Sequence, residues 1–212
     1  MAKRELFDFL KLQDEFRAAK TPENEILLEE YATAFIDIAG FFDLLGTAFG
    51  FVAKDLRAMV KILRAHRAED PEHYATLQSM VAHEVSAGLT RAKPSKSGLV
   101  NGSRTVLRMH RTLNFVTRFL DRIKSMPDEG YTSTAASEEY KATLARHEPW
   151  LVQKVALLAI KTLPIRKVFL ERNVKQPKEE LEAMADTAIG LMREVVDITQ
   201  TLFEKNDLLD LP

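Results

Sequence analysis

The 212-residue sequence has no cysteine, a single tryptophan, only eight glycines and eight prolines, and no long uninterrupted apolar run. Without cysteine there is neither a disulfide scaffold nor a thiolate metal site. No stretch approaches the roughly 20 apolar residues that cross a bilayer. The opening residues 1–12 alternate charged with apolar side chains, unlike a secretory leader, so a cytoplasmic protein is expected. Neither sign of charge dominates: 30 Lys+Arg stand against 31 Asp+Glu, a formal net charge of −1. That balance argues against a general nucleic-acid binder, which would carry a basic excess. Catalytic signatures are also missing. There is no G-x-S-x-G, no Gly-rich phosphate loop leading into Lys-Ser/Thr, and no H-E-x-x-H. His66, His73, His83 and His110 offer no close pair with a third ligand, so no metal site is expected, and nothing calls for a cofactor.

What the sequence does have is helical periodicity from end to end, with almost no strand-like alternation. Apolar spacing predicts helices over about 5–19, 23–45, 51–68, 71–89, 103–124 and 178–203. Thr21-Pro22-Glu23 reads as a helix start and Pro71 as another. Residues 92–102, with Pro94, Ser95, Ser97, Gly98 and Gly102, read as an exposed loop. A further helix is expected to begin at Ser137 and to restart at Pro149-Trp150. Residues 151–163 are nearly all apolar, which suggests a central position, and Pro164 ends that run. The sum is an all-α domain of about eight helices spanning 1–212.

Two sets of polar residues stand out against this apolar background. Arg104 and Arg108 lie four residues apart, within roughly 40° on one helical face. Paired guanidiniums match phosphate or carboxylate through their planar forks. The alternative is a solvated basic stripe with Arg111 and Arg118, and spacing alone leaves both readings open. Asp55 has Phe51, Val52 and Met59 as helical neighbours. It either accepts donors on an apolar face or merely favours the helix dipole near a helix start. Trp150 follows His147, Glu148 and Pro149 at a helix junction, where a tryptophan serves as core or as an interfacial anchor.

Taken together, Phe41-Phe42-Asp43-Leu44-Leu45-Gly46, then Asp55, then the run from Gly102 to Leu113, then Pro149-Trp150-Leu151-Val152-Gln153-Lys154, then Leu163-Pro164 resemble the glycolipid transfer protein superfamily. The stretch 163–171 and the ending 208–212 look most like its ceramide-1-phosphate branch. The resemblance implies a two-layer helical sandwich, non-enzymatic, that encloses lipid chains and carries a sphingolipid between membranes. It implies that Asp55 accepts hydrogen bonds from the sphingoid amide and hydroxyl, that Arg104 and Arg108 bind phosphate, and that His147 joins the headgroup site. Phe42, Leu45, Phe115 and Val155 would surround the chains. Val52, Trp150, Ile165, Arg166 and Lys167 would meet the membrane, in a protein acting as a monomer. A glycosphingolipid carrier, or a sensor that binds without shuttling, is the alternative. Two positions depart from the family pattern. Met59 stands where lysine or asparagine is usual, and Glu148 where histidine is, with His147 one residue earlier.

Overall fold

A computed structural model describes residues 6–92 and 99–211. Among the described residues there are nine α-helices and no strand longer than an isolated bridge. They are α1 (Phe9–Ala19), α2 (Leu28–Leu44), α3 (Gly50–Glu69), α4 (Leu77–Ser86), α5 (Gly102–Ser125), α6 (Thr132–Thr143), α7 (Trp150–Ile160), α8 (Arg166–Asn173) and α9 (Lys178–Lys205). Short 3-10 turns cover Thr47–Phe49 and Ala145–His147. Most of the exposed loop expected over 92–102 lies outside the described residues, which resume at Leu99.

Helix–helix packing forms a closed circuit. α1 packs on α2, α2 on α3, α3 on α5, α5 on α9, and α9 back on α1, while α4 and α6 lie against α5. The core inside this circuit is one cluster of apolar side chains drawn from every helix. α5 is central because its apolar residues occupy a wide face. Val106, Leu107, Met109, Leu113, Val116, Phe119, Leu120 and Ile123 are all buried.

Three expected helix starts move. The Thr21-Pro22 segment is a turn, with Lys20 bridged to Ile26 and Asn24 in the left-handed region (φ 61°), so α2 begins only at Leu28. Pro71 likewise opens a turn. α4 begins six residues later, where Thr76 and Ser79 form a capping box that satisfies the first amides. The helix expected from Ser137 starts earlier, at Thr132.

The start of α5 is closed off by side chains. Glu84 of α4, fully buried, accepts the backbone N–H groups of Gly102 (2.6 Å) and Ser103 (2.8 Å) and the Tyr74 hydroxyl (2.9 Å). Asn101 accepts the N–H of Arg104 at 2.9 Å. Three of the four amides that a helix leaves unpaired at its start are therefore satisfied. An anion near α5 has to be held by side chains and not by the helix end.

Candidate functional site

Residues 104, 108, 111, 115, 118 and 122 recur at one-face spacing along α5, so they form a single stripe. The structure divides it into two halves at Phe115. Beyond Phe115, Arg118 and Arg122 are taken up by α6: Arg118 donates to Glu139 at 2.6 Å and Arg122 to Glu138 at 2.5 Å. This half is the solvated, self-neutralised stripe. Before Phe115, Arg108 donates to Asp55 of α3 at 2.8 Å, with both side chains about half exposed (50% and 47%). Arg104 is half-buried one turn earlier on the same stripe. Arg111 is half-buried and donates to the Leu209 carbonyl at 2.7 Å. Burial, with Arg146 and Arg108 nearby, lowers the Arg111 guanidinium from its ordinary value, while Glu148 pulls the other way.

Asp55 and Arg108 stand at the mouth of a cavity of about 370 Å³. Its interior is lined by Phe42, Phe49, Leu56, Phe115, Leu144 and Ile160, with Thr112 and Tyr140 as the polar exceptions below the mouth. The Thr112 hydroxyl is used within α5, donating to the Arg108 carbonyl at 3.1 Å. The Tyr140 hydroxyl is fully buried with no hydrogen-bond partner among the described residues. Burial and the neighbouring Glu148 push it up to about 12. Glu148 lines the same wall, and burial, reinforced by Asp55, raises its carboxyl above the usual range despite Arg108 and Arg111. The mouth thus gathers cations around two carboxylates and leads directly into hydrocarbon.

Several expected positions are corrected. His147 is exposed and does not line the cavity. Its ring nitrogen accepts from Arg146 at 3.0 Å, and burial of the ring with Arg111 and Arg146 nearby lowers its pKa. Glu148, the next residue, is the one that faces inward. Val155 is 46% exposed, and the α7 wall of the cavity is Val152, Ala156 and Ile160. α7 is apolar all round, so composition could not tell which face turns in. Leu45 packs against the core at the end of α2 without lining the cavity, whereas Phe42 and Phe115 do line it. Met59 is buried (3%) within α3, so no polar group stands there.

The outward surface changes as well. Arg166 is drawn inward: it donates to Asp128 at 2.6 Å and to the carbonyls of Ile123 and Lys124 at 2.7 and 3.1 Å, and is only 11% accessible. Carbonyls at the end of α5 have no helical partner, and this guanidinium satisfies them. Ile165 is half-buried and Val52 belongs to the cavity wall, while Lys167 is exposed. The apolar surface lies instead along the outer face of α7, where Trp150 (69%), Leu151, Val155 and Leu158 are exposed and Lys154 sits 5.4 Å from the Trp150 ring. The expectation that histidines make no ligand group also changes, away from the cavity, where Asp70, His73 and His83 converge.

Arg146 and Tyr140 escaped the reading of the sequence, while Arg111 entered it only as part of the alternative solvated stripe and Glu148 only as a departure from the family pattern. For Arg111 the signal was present, as the third member of the 104–108 stripe.

Residues 26–175 match the family described as Glycolipid transfer protein (GLTP). The ceramide-1-phosphate transfer protein of Mus musculus is 39% identical over 202 residues, 93% of each chain. That of Homo sapiens is 35% identical over 198 residues, covering 93% of this chain and 92% of its own. The crystal structure of the human ceramide-1-phosphate transfer protein in complex with 2:0 ceramide-1-phosphate superposes with a TM-score of 0.90 at 33% identity, covering 98% of this chain and all of the other. The mouse apo-form gives 0.88 at 37% identity, over 97% of this chain and all of the other. On this agreement of sequence and fold, the chain belongs to the glycolipid transfer protein family.

Proposed function

We propose that the protein carries ceramide-1-phosphate between membranes, as one domain over residues 1–212, acting as a cytoplasmic monomer that makes and breaks no covalent bond. The observation that carries this reading is the Asp55–Arg108 pair opening onto an apolar cavity. The relatives described as ceramide-1-phosphate transfer proteins support the same ligand. Arg104, Arg108 and Arg111 grip the phosphate, and Asp55 accepts from the amide and hydroxyl of the sphingoid base. Phe42, Phe115 and the α7 wall replace bilayer hydrocarbon, at roughly 0.8 kcal/mol per buried methylene. At about 370 Å³ the cavity is near the low end of ligand sites, roughly 300–1,000 Å³. A lipid with two long chains therefore has to spread α3, α6 and α7 as it enters. The exposed face of α7, with Trp150 at its start and Lys154 and Lys161 beside it, is the surface that meets the membrane.

The test is transfer of fluorescent ceramide-1-phosphate between vesicles, with galactosylceramide as competitor. Transfer without competition is expected. Competition would favour the sugar-headgroup reading, binding without transfer a sensor, and release of a cleaved product a hydrolase.

Tyr140 supplies a test with two readouts of opposite sign. Tyr140→Phe removes a buried hydroxyl that has no partner, so the lipid-free protein should melt at the same temperature or higher. If the hydroxyl bonds a polar group of the bound lipid, affinity in a lipid titration should fall by about 3- to 10-fold, the worth of one neutral hydrogen bond.

A further inference from the structure

Three of the chain's five histidines gather at one end of α3, far in sequence from the arginine stripe. His66 stacks on Tyr74 with ring centroids 4.9 Å apart, and His73 stacks on His83 at 4.1 Å with a 30° tilt. Asp70 joins the second pair, its carboxylate 2.8 Å from His73 Nδ1. One ligating atom from each of Asp70, His73 and His83 lies within 4.8 Å of the other two. None of the three lines the lipid cavity. We propose that Asp70, His73 and His83 form a binding site for a divalent first-row transition metal, with zinc(II) the ion that this donor set suits.

The donor chemistry fits. Two imidazoles and a carboxylate are ordinary zinc ligands, with bonds of roughly 2.0–2.2 Å, which puts tetrahedral donors about 3.4 Å apart. The Asp70–His73 separation, 2.8 Å, is shorter than that value, and no separation in the cluster exceeds 4.8 Å. Adjusting these separations requires only side-chain rotation, and the His73 and Asp70 side chains, 50% and 36% accessible, have room for it. Among the described residues neither ring nitrogen of His83 has a hydrogen bond to give up.

The backbone that presents these donors is already fixed. Asp70 is the C-cap of α3, its N–H bonded to the His66 carbonyl at 2.9 Å. The His73 carbonyl accepts from Ser79 at 2.9 Å, within the capping turn that starts α4, and His83 lies in the last turn of α4. A scaffold ordered before the ion arrives lowers the cost of binding. The carboxyl end of α3, at Asp70, adds a negative partial charge that favours a cation.

The site has a structural consequence. Glu84, the chain neighbour of His83, holds the Gly102 and Ser103 amides and also accepts the hydroxyl of Tyr74, the chain neighbour of His73. An ion joining His73 to His83 would clamp the segment on which the start of the arginine helix rests.

The experiment uses untagged full-length protein, titrated with zinc chloride by calorimetry and followed by thermal melting. One-to-one binding is expected, with the melting temperature raised by roughly 5–10 °C at a hundredfold excess over Kd. Magnesium, which prefers oxygen ligands, should give no shift. His73→Gln and His83→Gln should each weaken binding at least tenfold, and the double variant should lose the shift. Should His83→Gln fold poorly, Asp70→Asn on the exposed side of the cluster must still weaken binding. No zinc binding by the wild type, or a shift that persists in the double variant, overturns the proposal.

Discussion

Arg108→Ala is expected to cut ceramide-1-phosphate affinity and vesicle transfer by about 10- to 150-fold while leaving the melting temperature nearly unchanged. The two effects separate because the same guanidinium works in two environments. In the lipid-free protein its bond to Asp55 is about half solvated on both sides. Such an exposed pair contributes ~0–1 kcal/mol to folding. With lipid bound, water leaves the mouth and the fork faces a phosphate, where a charge-assisted hydrogen bond contributes about 1.5–3 kcal/mol. Arg108→Lys should fall between, since it keeps the charge and loses the bidentate geometry. Calorimetric lipid titration alongside melting checks both halves. Unchanged affinity in Arg108→Ala would remove the phosphate from this site. A large drop in melting temperature would mean that the pair holds α3 to α5 more firmly than its exposure implies.

The second large effect is a gain. Glu148→Gln should bind ceramide-1-phosphate about three- to tenfold more tightly than the wild type at neutral pH, and the two should converge as pH falls. Glu148 lines the cavity mouth beside Asp55, and burial raises its carboxyl above the ordinary range. Above its pKa it sets a negative charge near the incoming phosphate, and like charges at close range are costly. The sign follows from the proton count: an anion bound alongside raises the Glu148 pKa further, so binding takes up a proton and strengthens as pH falls. The lipid phosphate itself loses charge near pH 6, which weakens its pairing with arginine. Comparing the variant with the wild type across pH 5.5–8 cancels that shared effect. Parallel curves for the two proteins would show that Glu148 does not feel the headgroup.

How far the sequence led can be followed residue by residue. α5 was legible because the Pro-, Ser- and Gly-bearing loop before it lacks periodicity and its own apolar spacing is strong, so its bounds shift by only a residue. The helix expected from Glu23 was not, because Thr-Pro-Glu satisfies every local rule for a helix start while Asn24 turns the chain the other way. Local rules also fail where every face of a helix looks alike. Nothing within α7 distinguishes inward Ala156 from outward Val155, since the choice rests on what α3 and α6 present across the cavity. Arg166 looks like a surface cation because its partners Asp128, Ile123 and Lys124 lie some 40 positions upstream. The same distance effect hid the Asp70–His73–His83 group, whose third member arrives only after the chain has turned and run along α4. Asp55 and Arg108, by contrast, could be linked through the family pattern before any contact between them was visible.

The position of α9 sets a timetable for making the protein. α5 carries the arginine stripe on one side and is backed by α9 on another, yet α9 is synthesised well after α5. Between Ser125 and Lys205 the ribosome adds 80 residues. At ~5–20 residues per second that interval lasts roughly 4–16 s. Throughout it the face of α5 that packs on α9 lacks its final cover. A nascent chain of this design therefore presents an uncovered greasy helix to the cell for seconds, and general chaperones that bind exposed apolar segments have their best opportunity just before residue 205 emerges.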